Sequence, residues 1–342
     1  MDRFPRRRFL IATGALLAAP SASALDRRAL RTVGQLFNYP EPVDPKSPNF
    51  SILNSWQRQI SDRFKALGWV ERKNLAFRRL YSDGIAQRLP GMAKELVRER
   101  VDVIWASTTA TAVEAERATT KIPIVLAGAS AYPVECGLIK SFAHPGGNVT
   151  GVAFFQGIEV QSKLAQLVRE ILPSARRLAW IAIPPDLVTV AGGEFRPEPY
   201  YQQVARSLGF ELGYYECRKV EDFDSVFGEM RAWGAQAVIV EPASLSGYPR
   251  VARLAMQSRI PSFFSLGLNV ATGGLLSYGP FLANMLEQTV AYVDRILRGA
   301  RPEDLPVEMP NRLELLINQK TAKALGIAIP QSILLQADRV IE

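Results

Sequence analysis

The sequence predicts an α/β protein of two doubly wound parallel-sheet lobes joined by three crossover segments. Three observations carry that expectation. Short β-rich segments alternate with amphipathic helical segments along the chain after residue 30, the pattern of parallel sheets covered on both faces. One half echoes the other. Ala66-Leu67-Gly68-Trp69, a strand, an acidic turn, a helix and Val101-Asp102-Val103-Ile104 are matched in order by Ser207-Leu208-Gly209-Phe210, a strand, Glu221-Asp222, a helix and Gln236-Ala237-Val238-Ile239. Three extended stretches bounded by glycine or proline, Gly146–Gly151, Gly273–Pro280 and Pro302–Pro310, supply the crossings. At 342 residues the chain has room for two domains. Lobe 1 is expected over residues 30–149 and 277–306, and lobe 2 over 150–276 and 307–342. The expected hinge residues are Asn148, Val149, Thr150, Gly151 and Ser277.

Each element follows from local pattern. Thr32–Phe37 reads as a strand that runs into a polar, aromatic loop at Asn38-Tyr39-Pro40. Ile52, Trp56, Ile60, Phe64 and Leu67 keep helical spacing, and Gly68 ends that helix. Leu75–Tyr81 is a strand, Ser82-Asp83-Gly84 a turn and Leu89–Arg98 a helix. Val101–Ala106 is a buried-type strand followed by Ser107-Thr108-Thr109 and an alanine-rich helix. Ile122–Leu126 is the next strand. Beyond Gly151, helices are expected at Glu159–Leu172, Tyr200–Leu208, Phe223–Trp233 and Arg250–Ser258. Strands are expected at Leu178–Ile183, Phe210–Glu216, Gln236–Val240 and Ser262–Ser265. Leu282, Leu286, Val290, Val293 and Leu297 share one face of a long helix over Leu282–Leu297. Leu313–Ile317 is a strand and Lys320–Leu325 a helix closed by Gly326.

Residues 1–24 have the parts of an export signal. Arg6-Arg7-Arg8 is the charged region, Phe9–Ala19 the apolar run and Ala22-Ser23-Ala24 the cleavage site. Arg6-Arg7-Arg8-Phe9-Leu10 also resembles a twin-arginine signal. The mature product is therefore expected free in the periplasm, without a membrane anchor. Without that segment the formal charge falls from +8 to +5, from 37 basic and 32 acidic residues. No dense basic run with interleaved aromatics supports nucleic-acid binding. Cys136 and Cys217 fall in different halves and are expected as separate thiols.

Catalytic patterns are sparse. His144 is the single histidine, in a loop before Pro145-Gly146, and no G-x-S-x-G elbow, P-loop or G-x-G-x-x-G fingerprint occurs. No metal or cofactor is expected. Binding is better served. In open α/β sheets, ligands sit at strand carboxyl ends against helix amino ends. Ser107, Thr108 and Thr109 lie there, where free amides and the helix dipole favour an anion; helix capping is their alternative role. Ser130 and Tyr132 follow the next strand. Asp186 and Glu241 follow strands of the second half and suit an ammonium or hydroxyls. Phe37, Tyr39, Tyr132, Phe155 and Tyr278 offer flat apolar walls.

Longer motifs go further. His144-Pro145-Gly146-Gly147-Asn148-Val149-Thr150-Gly151, Gly273–Pro280, Tyr292–Ala300, Asp304-Leu305-Pro306-Val307-Glu308 and Ile317–Gly326 resemble the ABC transporter substrate-binding proteins, whose better-known members bind tryptophan or related amino acids. The resemblance implies a type I periplasmic binding fold and a monomer that captures a small solute (an amino acid, a small carboxylate or an aromatic metabolite) between its lobes. It also implies delivery to an ABC permease and its ATPase, and no catalysis. The departures lie at the cleft. Tyr132 stands where many members have Asp, Pro184-Pro185-Asp186 where many have Asn-Pro, and Gly267 where many carry a charge. Two other readings fit the residues: a periplasmic sensor presenting its ligand to a receptor, and a serine hydrolase using Ser130 or Ser107.

Overall fold

The computed structural model describes residues 30–45, 50–130, 132–154, 159–182, 189–190, 193–194, 198–217, 220–241 and 248–342. The expected export signal, residues 1–24, lies outside them. The first sheet is built from β1 (Arg31–Phe37), β2 (Leu75–Tyr81), β3 (Val103–Ala106), β4 (Ile124–Ser130) and β5 (Val149–Ala153). Between them run α1 (Phe50–Ala66), α2 (Leu89–Arg98) and α3 (Thr109–Ala118). The order is β2-β1-β3-β4-β5 and every neighbouring pair is parallel. α1 buries Leu53, Ile60 and Phe64, the one-sided stripe its spacing implies.

The second half starts with α4 (Glu159–Ile171), β6 (Arg177–Ala182), the short antiparallel pair β7 (Thr189–Val190) and β8 (Gly193–Glu194), and α5 (Glu198–Ser207). It continues through β9 (Glu211–Glu216), α6 (Phe223–Trp233), β10 (Ala237–Val240), α7 (Tyr248–Gln257), β11 (Ser262–Phe264), α8 (Leu268–Ala271) and β12 (Leu276–Pro280). After α9 (Leu282–Leu297) come β13 (Leu313–Asn318), α10 (Gln319–Leu325), α11 (Gln331–Leu334) and β14 (Arg339–Ile341). The sheet order is β14-β13-β12-β11-β10-β6-β9. Its first five strands thus lie second-first-third-fourth-fifth, the same winding as the first sheet. The echo in the sequence is a repeat of topology.

The crossings fall at or just after the ends of the expected stretches. Asn148–Gly151, expected as hinge residues, lie in the first sheet and not in the passage between the sheets. Val149, Thr150 and Gly151 are ladder residues of β5, paired with Ile124, Val125 and Leu126. Asn148 is pinned because its Nδ2 donates to Thr119 O and Ile122 O at 2.9 and 2.8 Å. Gly151 has φ +122°, and a Cβ there would lie 2.6 Å from both Leu126 N and Leu126 O. Close strand approach requires this glycine. Ser277 is likewise a fully buried residue inside β12, between β11 and β13. The boundaries shift accordingly. β5 belongs to the first sheet and β12 to the second, so the divisions expected at 149/150 and 276/277 cut through strands.

After β12 the chain passes Phe281 and returns to the first lobe as α9. There Leu286, Val290, Val293 and Leu297 pack with Val33, Phe37, Ile60 and Phe64. The next segment also stays with the first sheet. Val307 N donates to Phe142 O, and Glu308 bridges Val152 in parallel. The chain reaches the second sheet again only at β13. Three crossings remain, following Phe154, at Phe281 and following Glu308. Residues 155–158 of the first lie outside the described residues. Phe154, Leu266 and Met285 make a small apolar cluster where two of these passages meet.

Candidate functional site

The parallel strands of each lobe carry their carboxyl ends to one edge, and the following helices begin there. On lobe 1 this edge is a short chain of buried hydrogen bonds. Ser82 Oγ donates to Asn38 Oδ1 at 2.7 Å, and Asn38 N donates to Ser107 Oγ at 3.3 Å. The first of these bonds holds the Asn38 carboxamide through its oxygen, and the second holds its backbone. The polar loop after β1 was visible in the sequence; the oriented amide in it was not.

The same geometry takes up two of the three amides expected to form an anion site at Ser107–Thr109. Ser107 N donates to Leu36 O at 3.2 Å, which carries the β1–β3 ladder one residue further. Thr108 is the N-cap of α3. Its Oγ1 accepts from Thr111 N at 3.3 Å, and its own N donates to Thr111 Oγ1 at 2.9 Å. A threonine at both the cap and the third helical position closes this reciprocal box. Thr109 is buried at the start of the helix. The amides of Ser107 and Thr108 are therefore committed within the protein.

The aromatic candidates separate into three places. Phe37 is buried in the lobe 1 core, 4.9 Å from the Tyr39 ring and 5.1 Å from Tyr81, so it packs instead of lining a wall. Burial raises the Tyr39 phenol well above its ordinary value and pushes Tyr81 up to about 12. Tyr278 is partly buried and packs against the α4-side core cluster of lobe 2 that holds Leu164 and Trp180. Ser130 ends β4 opposite Ala153. Phe155 and Asp186 lie outside the described residues.

Tyr132 is where the lobes meet. Its backbone sits at φ 54°, a left-handed conformation that is costly for a bulky side chain and concentrated at functional positions. Its hydroxyl is 3.1 Å from that of Tyr201, and its ring is stacked 6.3 Å from Tyr200. Both partners open α5 in lobe 2. Tyr201 lies flat on Trp180, with centroids 4.2 Å apart and planes at 9°. Glu241, whose amide donates to Ile181 O at the end of β10, adds its charge to the effect of burial in raising the Tyr132 phenol. Tyr132 and Glu241, predicted separately, thus share one environment across the two lobes. Tyr200 and Tyr201 were missed; the available signal was an adjacent tyrosine pair opening a helix after a glycine/proline-rich loop.

Two lobes of one winding, three crossings and a contact between facing strand ends agree with comparison to known proteins. The family model described as ABC transporter substrate binding protein matches residues 53–341. The chain belongs to this family. It is 26% identical over 242 residues to a tyrosine-binding protein of Clostridioides difficile (strain R20291), covering 69% of this chain and 66% of that protein, just short of two thirds of the relative's length. A conserved domain protein from Vibrio cholerae is similar in structure, with TM-score 0.79 and 26% identity over 91% of this chain and 99% of that one. An ABC domain in complex with L-Trp from Streptococcus pneumonia shares the fold, with TM-score 0.78 and 24% identity over 92% and 100% of the two chains.

In this substrate-binding protein, the glycine at 267 leaves room that another carboxylate fills. A Cβ at Gly267 would lie 2.7 Å from Glu314 Oε1. Burial, then the Asp338 charge, raises the Glu314 carboxyl. A carboxyl group thus stands beside position 267, supplied by β13. His144 is exposed, and its amide donates to Ser141 Oγ in the loop before β5, at the amino end of that strand. Ser107 and Ser130 lie at the opposite, carboxyl edge of the sheet, which places the histidine far from either as a base. Cys136 and Cys217 are separate buried thiols, and burial pushes Cys217 up to about 12.

Proposed function

We propose that this substrate-binding protein captures an aromatic amino acid between its lobes and hands it to a membrane permease powered by an ATPase. The carrying observation is the meeting of Tyr132 from lobe 1 with Tyr200 and Tyr201 from lobe 2, with Glu241 beside them. Such rings give an apolar ligand face a flat partner, and the carboxylate suits an ammonium. Relatives named for tyrosine and found with L-Trp support this ligand class. Anything that binds only the native state raises its stability, by about 2.7 kcal/mol at a hundredfold excess over Kd. L-tyrosine and L-tryptophan are therefore expected to raise the melting temperature in a concentration-dependent way, with L-leucine and L-lysine giving smaller shifts at equal concentration. No shift with either aromatic amino acid would reject this ligand class.

Export belongs to the same proposal. The Arg6-Arg7-Arg8-Phe9-Leu10 segment supports a twin-arginine route to the periplasm. Replacing Arg6 and Arg7 by Lys is expected to hold the precursor in the cytoplasmic fraction. Unchanged periplasmic yield would show that a different export route is used.

A further inference from the structure

The first turn of α4 carries a side chain that no other described residue engages by a hydrogen bond. Gln161 is 0% exposed, yet among the described residues neither its Nε2 nor its Oε1 has a hydrogen-bond partner. A buried polar group left this way is rare in a folded protein. Gln161 lies one turn before Leu164 and Ala165, on the stripe continued by Val168 that packs against the second sheet. α4 crosses β10, β11 and β12, and helix side chains lean toward the amino end. The carboxamide therefore sits over the carboxyl ends of those strands.

A second orphan lies at the same edge. Ser265 follows β11, is 1% exposed, and its Oγ has no partner among the described residues. Phe263, two residues earlier, packs in one cluster with Leu164 and Val168 of α4. Leu266, the next residue, belongs to the apolar cluster against which Val160 of α4 packs. Gln161 and Ser265 thus flank a single region of contact between the start of α4 and the end of β11. The first-turn amides of this 13-residue helix face the same edge and carry its positive dipole end.

We propose that Gln161 and Ser265, with the first-turn amides of α4, form a subsite in lobe 2 that receives the carboxylate of the ligand. The proposal rests on the reading that a small solute binds between the lobes. Gln161 Nε2, the Ser265 hydroxyl and the helix amides are all donors, and a carboxylate supplies only acceptors. Gln161 Oε1 then faces the ammonium of an α-amino acid. The strand end on lobe 1 offers less, because Ser107 and Thr108 have already committed their amides. The Glu314 carboxylate stands on the other face of the second sheet, beside Leu316 and Gly267.

Calorimetric titration of the wild type, Gln161→Leu and Ser265→Ala with paired probes tests this. The pairs are L-tyrosine with tyramine, L-tryptophan with tryptamine, and benzoate with benzyl alcohol. The expected result is that a carboxylate member binds the wild type at least tenfold more tightly than its partner, and that Gln161→Leu loses at least tenfold of that affinity. Gln161→Leu, nearly isosteric and without a buried unpaired amide, is also expected to melt no lower than the wild type. That separates lost binding from lost folding, and Ser265→Ala gives a second variant of small volume change. Benzoate binding that depends on Gln161, without binding of either amino acid, would sustain the subsite and reject the aromatic amino-acid reading. Tyrosine and tyramine binding alike, with Gln161→Leu unaffected, would overturn the subsite and leave that reading standing. Binding of no carboxylate in the set would overturn both.

Discussion

Trp180→Ala is expected to lower the free energy of unfolding by about 3–5 kcal/mol, the cost of deleting a large buried aromatic. Trp180 is fully buried in β6, which pairs with β10 on one side and β9 on the other. Its ring lies flat on Tyr201 and packs in one cluster with Leu164 and Val168 of α4. Nothing nearby has the shape to refill that volume, because α4, α5 and the sheet all close on it. The loss is a large fraction of the 5–15 kcal/mol typical of a folded protein. The effect extends to the cleft, since Tyr201 rests on Trp180 and its hydroxyl meets Tyr132. Urea denaturation of both proteins is the check. Equal midpoints with equal slopes would contradict the packing described for lobe 2.

Gly279→Ala is expected to cost about 3 kcal/mol, the upper end for overpacking. A Cβ at Gly279 would fall 2.0 Å from Ser265 O and 2.9 Å from Ser265 C. These are backbone atoms and cannot rotate aside as a side chain would. β12 must move away from the end of β11, or the turn carrying Ser265 must shift. Either response displaces the strand end that carries Ser265 and Leu266. A lowered denaturation midpoint together with weakened binding of L-tyrosine or L-tryptophan is the expected outcome. A variant matching the wild type in both would show that the β11–β12 edge is looser than these distances imply.

Much of this fold was legible because local pattern and tertiary packing agree. Leu282–Leu297, Leu75–Tyr81 and Phe223–Trp233 have the limits expected from spacing and capping glycines. The repeated order of strands followed from the echo between Ala66–Ile104 and Ser207–Ile239. The first two crossings were expected slightly early, for a physical reason. A glycine that lets two strands approach and a glycine that lets a chain pivot look alike in sequence, and Gly151 does the former. Ser277 reads as polar and extended, whereas β11 and β13 enclose it.

The site was less legible than the fold. Tyr132 and Glu241 were marked because they follow strands, a rule of position that survives folding. Thr108 was marked by the same rule, but its donor is taken by Thr111 three residues on, a partnership that spacing alone leaves open. Gln161 is the opposite case. In sequence it is one more polar residue of an amphipathic helix, and only its burial without a partner among the described residues distinguishes it.

The central claim is that two lobes close on a small solute held where Tyr132 meets Tyr200 and Tyr201. Small-angle scattering of the protein alone and with saturating L-tyrosine or L-tryptophan tests it most directly. A smaller radius of gyration with at least one of them is the expected result. Superimposable curves at concentrations that saturate the thermal shift would contradict closure between the lobes.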